Sequence, residues 1–404
     1  MKYKIYNQDV IEWAKEYQKA KFHALISDAP YHLTSIVKRY SKVDTNKSTS
    51  TNDITLGRKN QYGRLTKGFM NQEWDGGDIA FRPETWEALG EHLYPGAFGM
   101  CFSASRNWHR LAVAIEDAGM IIHPTIFGWL QGQGFPKATN ISKRLKKQGN
   151  EDGMWEGHRY GLQALKPSVE PIIVFQKPYE GKPLQNIVDT GAGALNIDGG
   201  RIAVDVPVTI NRFTNGAKPW GDAKGEEFDT VLSSQGRWPS NFILDKSSAE
   251  LLDSQTGILI SGKPSGKKKA NNNIYGKYNN EDIDVKGIGD SGGASRFFYN
   301  VQERIDEADP IYYCSKVSPK ERNAGLNERC IHPTMKPIAL AKYLATLLLP
   351  PKEYAPRRIL VPFSGVGSEM IGCALAGWEH IVGIEFMEEY VGLAYKRMEY
   401  WSTK

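Results

Sequence analysis

Four consecutive residues, Asp28-Ala29-Pro30-Tyr31, combine an acid, a backbone carbonyl, a rigid turn and an aromatic ring. They come soon after an apolar run, Phe22 to Ile26, which predicts a short buried strand. Pro30 has no N–H to donate, so the strand is expected to stop there. Ligands of open α/β sheets bind at the carboxyl ends of strands. The turn therefore suits one task, which is to hold a flat ring that carries an amino group.

A second chemical signal lies near the end of the chain. The run Arg358 to Val361 predicts a strand, Gly365 and Gly367 lie in a turn, and Ser368 begins a predicted helix. Glu385 falls at the end of the next predicted strand. This layout is typical of a nucleotide-binding βαβ unit, in which glycines permit close backbone approach and the acid binds ribose hydroxyls. An ordinary βαβ unit with a glycine turn is the alternative.

The position of a third glycine distinguishes between nucleotides. The dinucleotide fingerprint has glycine where this chain has Met370. A bulky residue there disfavours the close helix–strand packing around a pyrophosphate. A cofactor with adenosine but no phosphates fits better, and S-adenosylmethionine is the common one. A nicotinamide-dependent dehydrogenase is accordingly disfavoured.

The elements that must position these residues alternate between helix and strand, which predicts a mostly parallel sheet covered by helices. The predicted helices are Asp9–Ala20, Pro83–Leu93, Asn107–Ala118, Ile338–Leu349, Ser368–Ala376 and Glu388–Tyr400. The further predicted strands are Ala97–Phe102, Ile121–Leu130, Pro171–Gln176, Arg358–Val361 and His380–Glu385. Between about Lys177 and Asp309 the periodicity weakens, and we expect an inserted lobe of loops and short strands without clear helices.

Three segments are rich in Lys and Arg, and each is either a solvated surface or a contact for a polyanion. The first is an irregular segment, Thr34 to Asn71, and the second is a loop and helix, Gln131 to Asn150. The third is a lysine run inside the predicted lobe. The candidate phosphate-binding residues in them are Lys38, Arg39, Arg58, Lys59, Arg64, Lys137, Lys143, Arg144, Lys267 and Lys268.

Composition bounds the class of protein. The 404 residues are 40% hydrophobic and 24% charged, with a net charge of +5, which permits a nucleic-acid partner without demanding one. The four cysteines form no CxxC pair, so we expect no metal site and a reducing, cytoplasmic environment. We expect no signal peptide and no membrane span, because no apolar run is long enough.

Together these motifs resemble those of the amino-group DNA methyltransferases. Asp28-Ala29-Pro30-Tyr31 is similar to the family's catalytic motif, (Asp/Asn/Ser)-Pro-Pro-(Tyr/Phe). The segment from Val361 to Ser368 is similar to its cofactor motif, Asp-Pro-Phe-x-Gly-x-Gly-(Thr/Ser). The family's His-Pro-Thr-x-Lys-Pro motif is present unchanged from His332 to Pro337. Their order resembles the permuted, beta class, and further short segments resemble phage and prophage members.

The resemblance implies a Rossmann-like sheet in residues 1–176 and 310–404, with a DNA-recognition region in residues 177–309. It implies S-adenosylmethionine as the cofactor and double-stranded DNA as the partner in a bacterial or phage-infected cell. Asp28, Ala29, Pro30 and Tyr31 would act on a flipped base. The implied cofactor-binding residues are Asp9, Thr334, Lys336, Phe363, Gly365, Gly367, Ser368, Glu385 and Phe386. For Asp9 the alternative is helix capping, and for Phe386 it is core packing.

Two departures from the family pattern leave alternatives open. Ala29 replaces the first proline of the catalytic motif, and Val361 replaces the acid of the cofactor motif. An aspartate at position 28 favours adenine N6 as the target, with cytosine N4 as the alternative. A methyltransferase for RNA or a protein amide, and a non-catalytic DNA-binding relic, also remain open. We find no nuclease motif, which favours a stand-alone or phage-borne modification role, and the oligomeric state, a homodimer included, is undetermined.

Overall fold

The structure is a computed structural model of the chain. It describes residues 1–31, 78–132, 136–149, 153–202, 208–213, 228–233, 236–260, 267–268, 283–284, 290–301, 317–327, 329–330, 332 and 334–403. The chain divides into two compact units: residues 1–196 with 302–404, and residues 197–301. The basic segment predicted from Thr34 to Asn71 lies outside the described residues.

The described strands are numbered in chain order. They are β1 (Lys2–Asn7), β2 (Phe22–Ser27), β3 (Leu93–Phe102), β4 (Ile121–Ile122), β5 (Phe127–Leu130), β6 (Lys137–Asn140), β7 (Arg159–Gln163), β8 (Val169–Gln176), β9 (Val208–Phe213), β10 (Phe228–Ser233), β11 (Phe242–Asp245), β12 (Leu259–Ile260), β13 (Lys267–Lys268), β14 (Ile283–Asp284), β15 (Ser291–Gly292), β16 (Tyr299–Val301), β17 (Arg358–Pro362) and β18 (His380–Glu385).

The described α-helices are numbered in the same way. They are α1 (Val10–Glu16), α2 (Pro83–Glu91), α3 (Trp108–Asp117), α4 (Ile141–Lys146), α5 (Pro183–Thr190), α6 (Lys246–Thr256), α7 (Pro319–Asn323), α8 (Ile338–Leu347), α9 (Ser368–Ala376) and α10 (Glu388–Ser402).

The first unit is built on a Rossmann-like sheet. Its strand order is β1-β18-β17-β2-β3-β8-β5, and β4 also pairs with β8. The pairs from β1 through β3 are parallel, whereas β3, β4 and β5 all run antiparallel to β8. Every residue of β2 is buried, as expected for a central parallel strand that is covered on both faces. The predicted α/β fold with a mostly parallel sheet is confirmed.

Several predicted elements of this unit have different bounds, among them the first helix and the segment 121–130. Asp9 does cap α1, because its side chain accepts hydrogen bonds from Ile11 N and Glu12 N, but the helix ends at Glu16 instead of Ala20. The single strand predicted over 121–130 is wrong. It is two short strands, β4 and β5, because the register against β8 shifts between them. His123 N still bonds Val174 O of β8, but Thr125 N bonds the His123 ring instead, and pairing resumes only with Phe127 opposite Ile172.

The residue in the third-glycine position has a specific packing partner. Met370 is fully buried in α9. It occupies the space beside Gly383 of β18, where an added Cβ would overlap the Met370 sulfur. Helix α9 can therefore lie on the sheet with a long side chain at this position, because the strand beneath it supplies a glycine.

The second unit, residues 197–301, is a set of short strands and one longer helix. Strands β11 and β16 are parallel neighbours, and β9 with β10, β12 with β15, and β13 with β14 form antiparallel pairs. Helix α6 begins at the Asp245 cap and is tied by Asp253 to Ser295 at 2.7 Å. The prediction of no clear helix between Lys177 and Asp309 is therefore wrong.

Helix α5 also lies in that predicted lobe, but it belongs to the first unit. Its Asn186 side chain donates a hydrogen bond to Pro95 O in β3 at 3.0 Å. This contact explains why the compact second unit begins only at Ile197.

Within the described ranges, no helix has the length and apolar character needed to span a membrane. Cys101, Cys330 and Cys373 are buried free thiols, and no cluster of metal-ligand side chains occurs among the residues described.

Two helical glycines provide a test of the packing between α8 and α9. An added Cβ at Gly372 would lie 2.5 Å from Ala341 Cβ, whereas at Gly392, an exposed position of α10, it would meet nothing within 4 Å. We expect Gly372→Ala to lower the free energy of unfolding, because overpacking costs about 1–3 kcal/mol and the gain in helix propensity is about 0.5–1 kcal/mol. Gly392→Ala should raise it. Urea unfolding followed by circular dichroism measures both, and equal effects would contradict the close packing.

Candidate active site

The two sequence motifs meet because their strands are neighbours. Strand β2 pairs in parallel with β17, with Leu25 opposite Leu360, and Ser27 Oγ donates a hydrogen bond to Pro362 O at 3.1 Å. Strand β18 lies on the other side of β17. The turns that follow these strands therefore emerge at the same edge of the sheet, where ligands bind in folds of this class.

A cavity opens at this edge. It is lined by nearly all of the predicted catalytic and cofactor-binding residues: Asp9, Asp28, Ala29, Pro30, Tyr31, Thr334, Lys336, Phe363, Gly365, Ser368, Glu385 and Phe386. Gly367 is not among the lining residues. It shapes the turn from behind, with a φ of 81° and with Ala394 so close that an added Cβ would lie 3.2 Å from the Ala394 Cβ.

The glycine turn has an unusual backbone that is held by a buried arginine. Phe363 has a φ of 57°, in the left-handed region that costs a non-glycine residue about 1–3 kcal/mol. Gly365 follows with a φ of 49°. Arg397 of α10 is fully buried and donates to Val366 O at 2.6 Å and to Ser368 Oγ at 3.2 Å. The turn is thus held by hydrogen bonds from α10.

Glu385, at the end of β18, is tied to this turn. Its Oε2 accepts a hydrogen bond from Gly365 N, and its Oε1 accepts one from Met387 N, each at 2.8 Å. Burial raises the pKa of Glu385, and these backbone donors oppose the rise. A carboxylate has about four acceptor positions, so the two oxygens can still accept hydroxyl donors from a ligand.

The ammonium of Lys336 contacts the catalytic motif. Lys336 Nζ donates to Asp28 Oδ2 at 2.6 Å, and it lies 4.0 Å from Glu170 Oε2. The lysine side chain is only 3% exposed. In the described part of the chain, Asp28 Oδ1 is buried and has no hydrogen-bond partner. One oxygen of Asp28 is therefore fixed by the lysine, and the phenol of Tyr31 lies close enough to the carboxylate to interact with it as well. A contact of Lys336 with a cofactor stays a prediction.

Tyr31 is positioned by its backbone and by the same lysine. Asn107 Nδ2 donates to Tyr31 O at 2.7 Å, and Lys336 Nζ lies 4.9 Å from the centre of the tyrosine ring. Burial and the nearby charge of Asp28 raise the pKa of the Tyr31 phenol. The side chain of Ala29 is 3% exposed and packs in the hydrophobic core beneath the turn.

His332, the first residue of the His-Pro-Thr motif, lines the cavity beside Gly365. Its ring packs edge-to-face on Tyr390 at 4.7 Å. Burial, opposed by Asp28 and assisted by Lys336, lowers the pKa of His332 to about 4. The imidazole is therefore neutral at physiological pH, and Lys336 alone carries a fixed positive charge among the described residues that line the cavity.

Glu369, the second residue of α9, was not singled out by sequence reasoning. It is 4% exposed and lines the cavity with Asp28 and Lys336. Burial and then the Asp28 charge raise the pKa of Glu369 to about 7, against the effect of Lys336. An acid directly after the glycine turn, followed by the apolar Met370 and Ile371, was the available signal.

The predicted DNA-binding residues divide into three groups. Lys38, Arg39, Arg58, Lys59 and Arg64 lie outside the described residues. Lys137, Lys143 and Arg144 are exposed on β6 and α4, and Asn140 caps that helix by accepting from Lys143 N at 3.0 Å. The third group, Lys267 and Lys268, forms β13. Their contact with DNA stays a prediction.

No family model matches the chain. Over 204 residues it is homologous to the type II methyltransferase M.HindIII of Haemophilus influenzae, with 27% identity. The alignment covers 48% of this chain and 64% of M.HindIII, so the chain spans less than two thirds of that relative's length.

Solved structures with a similar arrangement include M1.HpyAVI and the PvuII DNA methyltransferase, which is described as cytosine-N4-specific. M1.HpyAVI is 12% identical, with a TM-score of 0.39 and coverage of 98% of both chains. The PvuII enzyme is 10% identical, with a TM-score of 0.40 and coverage of 98% of this chain and 86% of its own.

The raised pKa of Glu369 predicts how the stability of the unliganded protein depends on pH. Because the folded state holds this proton up to about pH 7 and an unfolded glutamate releases it near pH 4.3, folding takes up a proton between these values. As pH rises from about 5 to 8, the free energy of unfolding of wild type should therefore fall by roughly 1–3 kcal/mol relative to that of Glu369→Gln. Chemical denaturation across this range measures the difference.

The exposed Glu389, on α10, provides the matched control for that experiment. Glu389→Gln removes the same charge from solvent, so its stability difference from wild type should stay flat with pH. A flat profile for Glu369→Gln as well would show that Glu369 is not the buried acid described here.

Proposed function

We propose that this protein is an S-adenosylmethionine-dependent DNA methyltransferase that methylates the exocyclic amine of a flipped base, with adenine N6 as the target. The observation that carries the proposal is the convergence of Asp28 and the glycine turn on one cavity, although they lie at opposite ends of the chain. Homology to M.HindIII, a type II methyltransferase, supports the reaction class.

The residues of the cavity fit the cofactor. Glu385 can accept ribose hydroxyls beside Gly365, and Thr334 faces the same space. The absence of a third glycine, with Met370 packed over Gly383, suits an adenosine without a pyrophosphate. S-adenosylmethionine, when bound, supplies a methyl group on a sulfonium that is electrophilic enough for transfer to nitrogen.

Asp28 prepares the amine. The amino group of adenine is a weak nucleophile because its lone pair is delocalised into the ring. Lys336 holds Asp28 Oδ2, and Asp28 Oδ1, which has no hydrogen-bond partner in the described residues, can accept one N–H of the amine. The carbonyl of Ala29 accepts the other, which favours a nitrogen whose lone pair points outward. Acceptors that are fixed in a dry pocket act strongly on such a group, and most of the acceleration comes from positioning.

Access to this cavity requires the base to leave the duplex, because a stacked base cannot reach Asp28. Tyr31 would stack on the flipped base, an interaction worth roughly 1–3 kcal/mol. The exposed Lys137, Lys143 and Arg144 would neutralise phosphates nearby. Residues 197–301, the compact second unit, would contact base edges as the recognition region. The order of the motifs along the chain supports assignment to the permuted class of these enzymes.

Cytosine N4 is the second candidate target, because it presents the same N–H donors to Asp28 and Ala29. The aspartate at position 28 favours adenine.

Ala29 bears on the rate of the reaction. A lower rate of methyl transfer is expected if Ala29, which lacks the rigidity of proline, loosens the turn. Its burial in the core opposes that loosening.

Two substitutions test the division of labour in this cavity. Asp28→Ala and Tyr31→Ala should each reduce transfer of tritiated methyl groups to DNA by at least about a hundredfold, because each removes an interaction made with the base. The affinity for S-adenosylmethionine, measured by calorimetry, should be retained.

The control is Asp117→Ala, which removes an exposed acid at the end of α3 and should leave transfer unchanged. Thermal unfolding of each variant establishes that it is folded. Loss of cofactor binding in both site variants would contradict the assignment of these residues to the base.

A further inference from the structure

Among the acids that line the cavity, one has both a buried carboxylate oxygen without a hydrogen bond and no ion-pair partner in the described residues. Asp9 caps α1, Asp28 binds Lys336, and both oxygens of Glu385 accept backbone N–H groups. Glu369 differs from these acids. Its Oε1, like Asp28 Oδ1, is buried and has no hydrogen-bond partner in the described residues, but unlike Asp28 it forms no ion pair there.

The charges around Glu369 do not neutralise it. Its strongest charged neighbour is the like charge of Asp28, and Lys336, which opposes that repulsion, is already bonded to Asp28. The groups that interact electrostatically with Glu369 come from every neighbouring element: Asp28, Tyr31, Lys336, Cys373 and Arg397. Arg397 donates instead to the glycine turn.

An uncompensated buried carboxylate is costly, so it becomes protonated or it binds a cation. The pKa of Glu369, raised to about 7, means that the unliganded protein holds this proton up to near-neutral pH. A ligand that brings both a positive charge and N–H donors would remove the cost and keep the carboxylate ionised. A sulfonium brings charge but no N–H donor, whereas an ammonium brings both.

We propose that Glu369 binds the α-ammonium group of S-adenosylmethionine and supplies the carboxylate that the cofactor motif lacks at Val361. Val361 is a fully buried apolar residue at the end of β17, so the usual position of the motif acid offers no charge. Glu369 lies beyond the same turn, at the start of α9. This assignment rests on the proposed function, because it assumes that S-adenosylmethionine occupies the cavity.

The test compares three ligands in calorimetric titrations of wild type and Glu369→Gln. S-adenosylmethionine and S-adenosylhomocysteine both carry the α-ammonium, and 5′-methylthioadenosine carries neither the ammonium nor the carboxylate of the methionine part. We expect Glu369→Gln to weaken the first two by roughly tenfold to a hundredfold, since a hydrogen bond to a charged group is lost. Methylthioadenosine should bind both proteins equally.

The dependence on pH separates a binding role from a structural one. Wild-type affinity for S-adenosylhomocysteine should rise between about pH 6 and pH 7.5, because the ionised fraction of a group with a pKa of about 7 grows over that interval. The rise should be absent in Glu369→Gln and retained in the control Glu389→Gln. Thermal unfolding establishes that each variant is folded.

Three results would overturn the proposal. If Glu369→Gln binds S-adenosylmethionine and S-adenosylhomocysteine as tightly as wild type does, the role of Glu369 is rejected and the proposed cofactor is not. Equal weakening of methylthioadenosine would show that the substitution distorts the turn. Wild-type protein that binds none of the three ligands would reject the proposed cofactor, and the role of Glu369 with it.

Discussion

The parallel pairing of β2 with β17 is the constraint on which the candidate site depends. These strands bring together the acid turn at Asp28 and the glycine turn at Gly365, and the bond from Ser27 Oγ to Pro362 O fixes their ends at one level. Parallel strands place all their carboxyl ends at one edge, so each added strand contributes one more group. Strand β18 contributes Glu385 in this way.

Electrostatics then determines what this edge can hold. Lys336 is bonded to Asp28 and faces the rings of Tyr31 and Phe102, so one buried ammonium contacts both ends of the turn from Asp28 to Tyr31. Breaking such a buried pair leaves an unpaired charge and typically costs about 3–5 kcal/mol. With the lysine bonded to Asp28, the additional acid Glu369 would favour a cationic ligand in the cavity. A cationic cofactor thus agrees with the charges, independently of the motif resemblance.

The sequence was sufficient for features that depend on local pattern. The central strands, the capping of α1 by Asp9, the helix from Ser368 to Ala376 and the convergence of two distant motifs follow from hydrophobic periods, turn residues and the edge rule. The predicted strand over 121–130 failed because the register against β8 shifts at the segment His123–Ile126, which apolar character on either side does not reveal.

Other features depend on contacts that a linear pattern does not contain. Helix α6 has a mostly polar sequence, and its placement depends on the side chain of Asp253 reaching Ser295. The contact of Lys336 with Asp28 joins distant parts of the chain. Burial of Glu369 follows from the packing of α9 on α8 and on the sheet, which no spacing in the sequence specifies.

The most direct measurement is mass spectrometry of nucleosides from duplex DNA incubated with the protein and deuteromethyl-labelled S-adenosylmethionine. The account predicts label on N6 of adenine, and label on cytosine N4 would support the second candidate target in the same cavity. Label on cytosine C5, label found only on RNA or protein added in competition, or no label with bound DNA and cofactor would contradict the claim that Asp28 presents an amino group of DNA to the methyl donor.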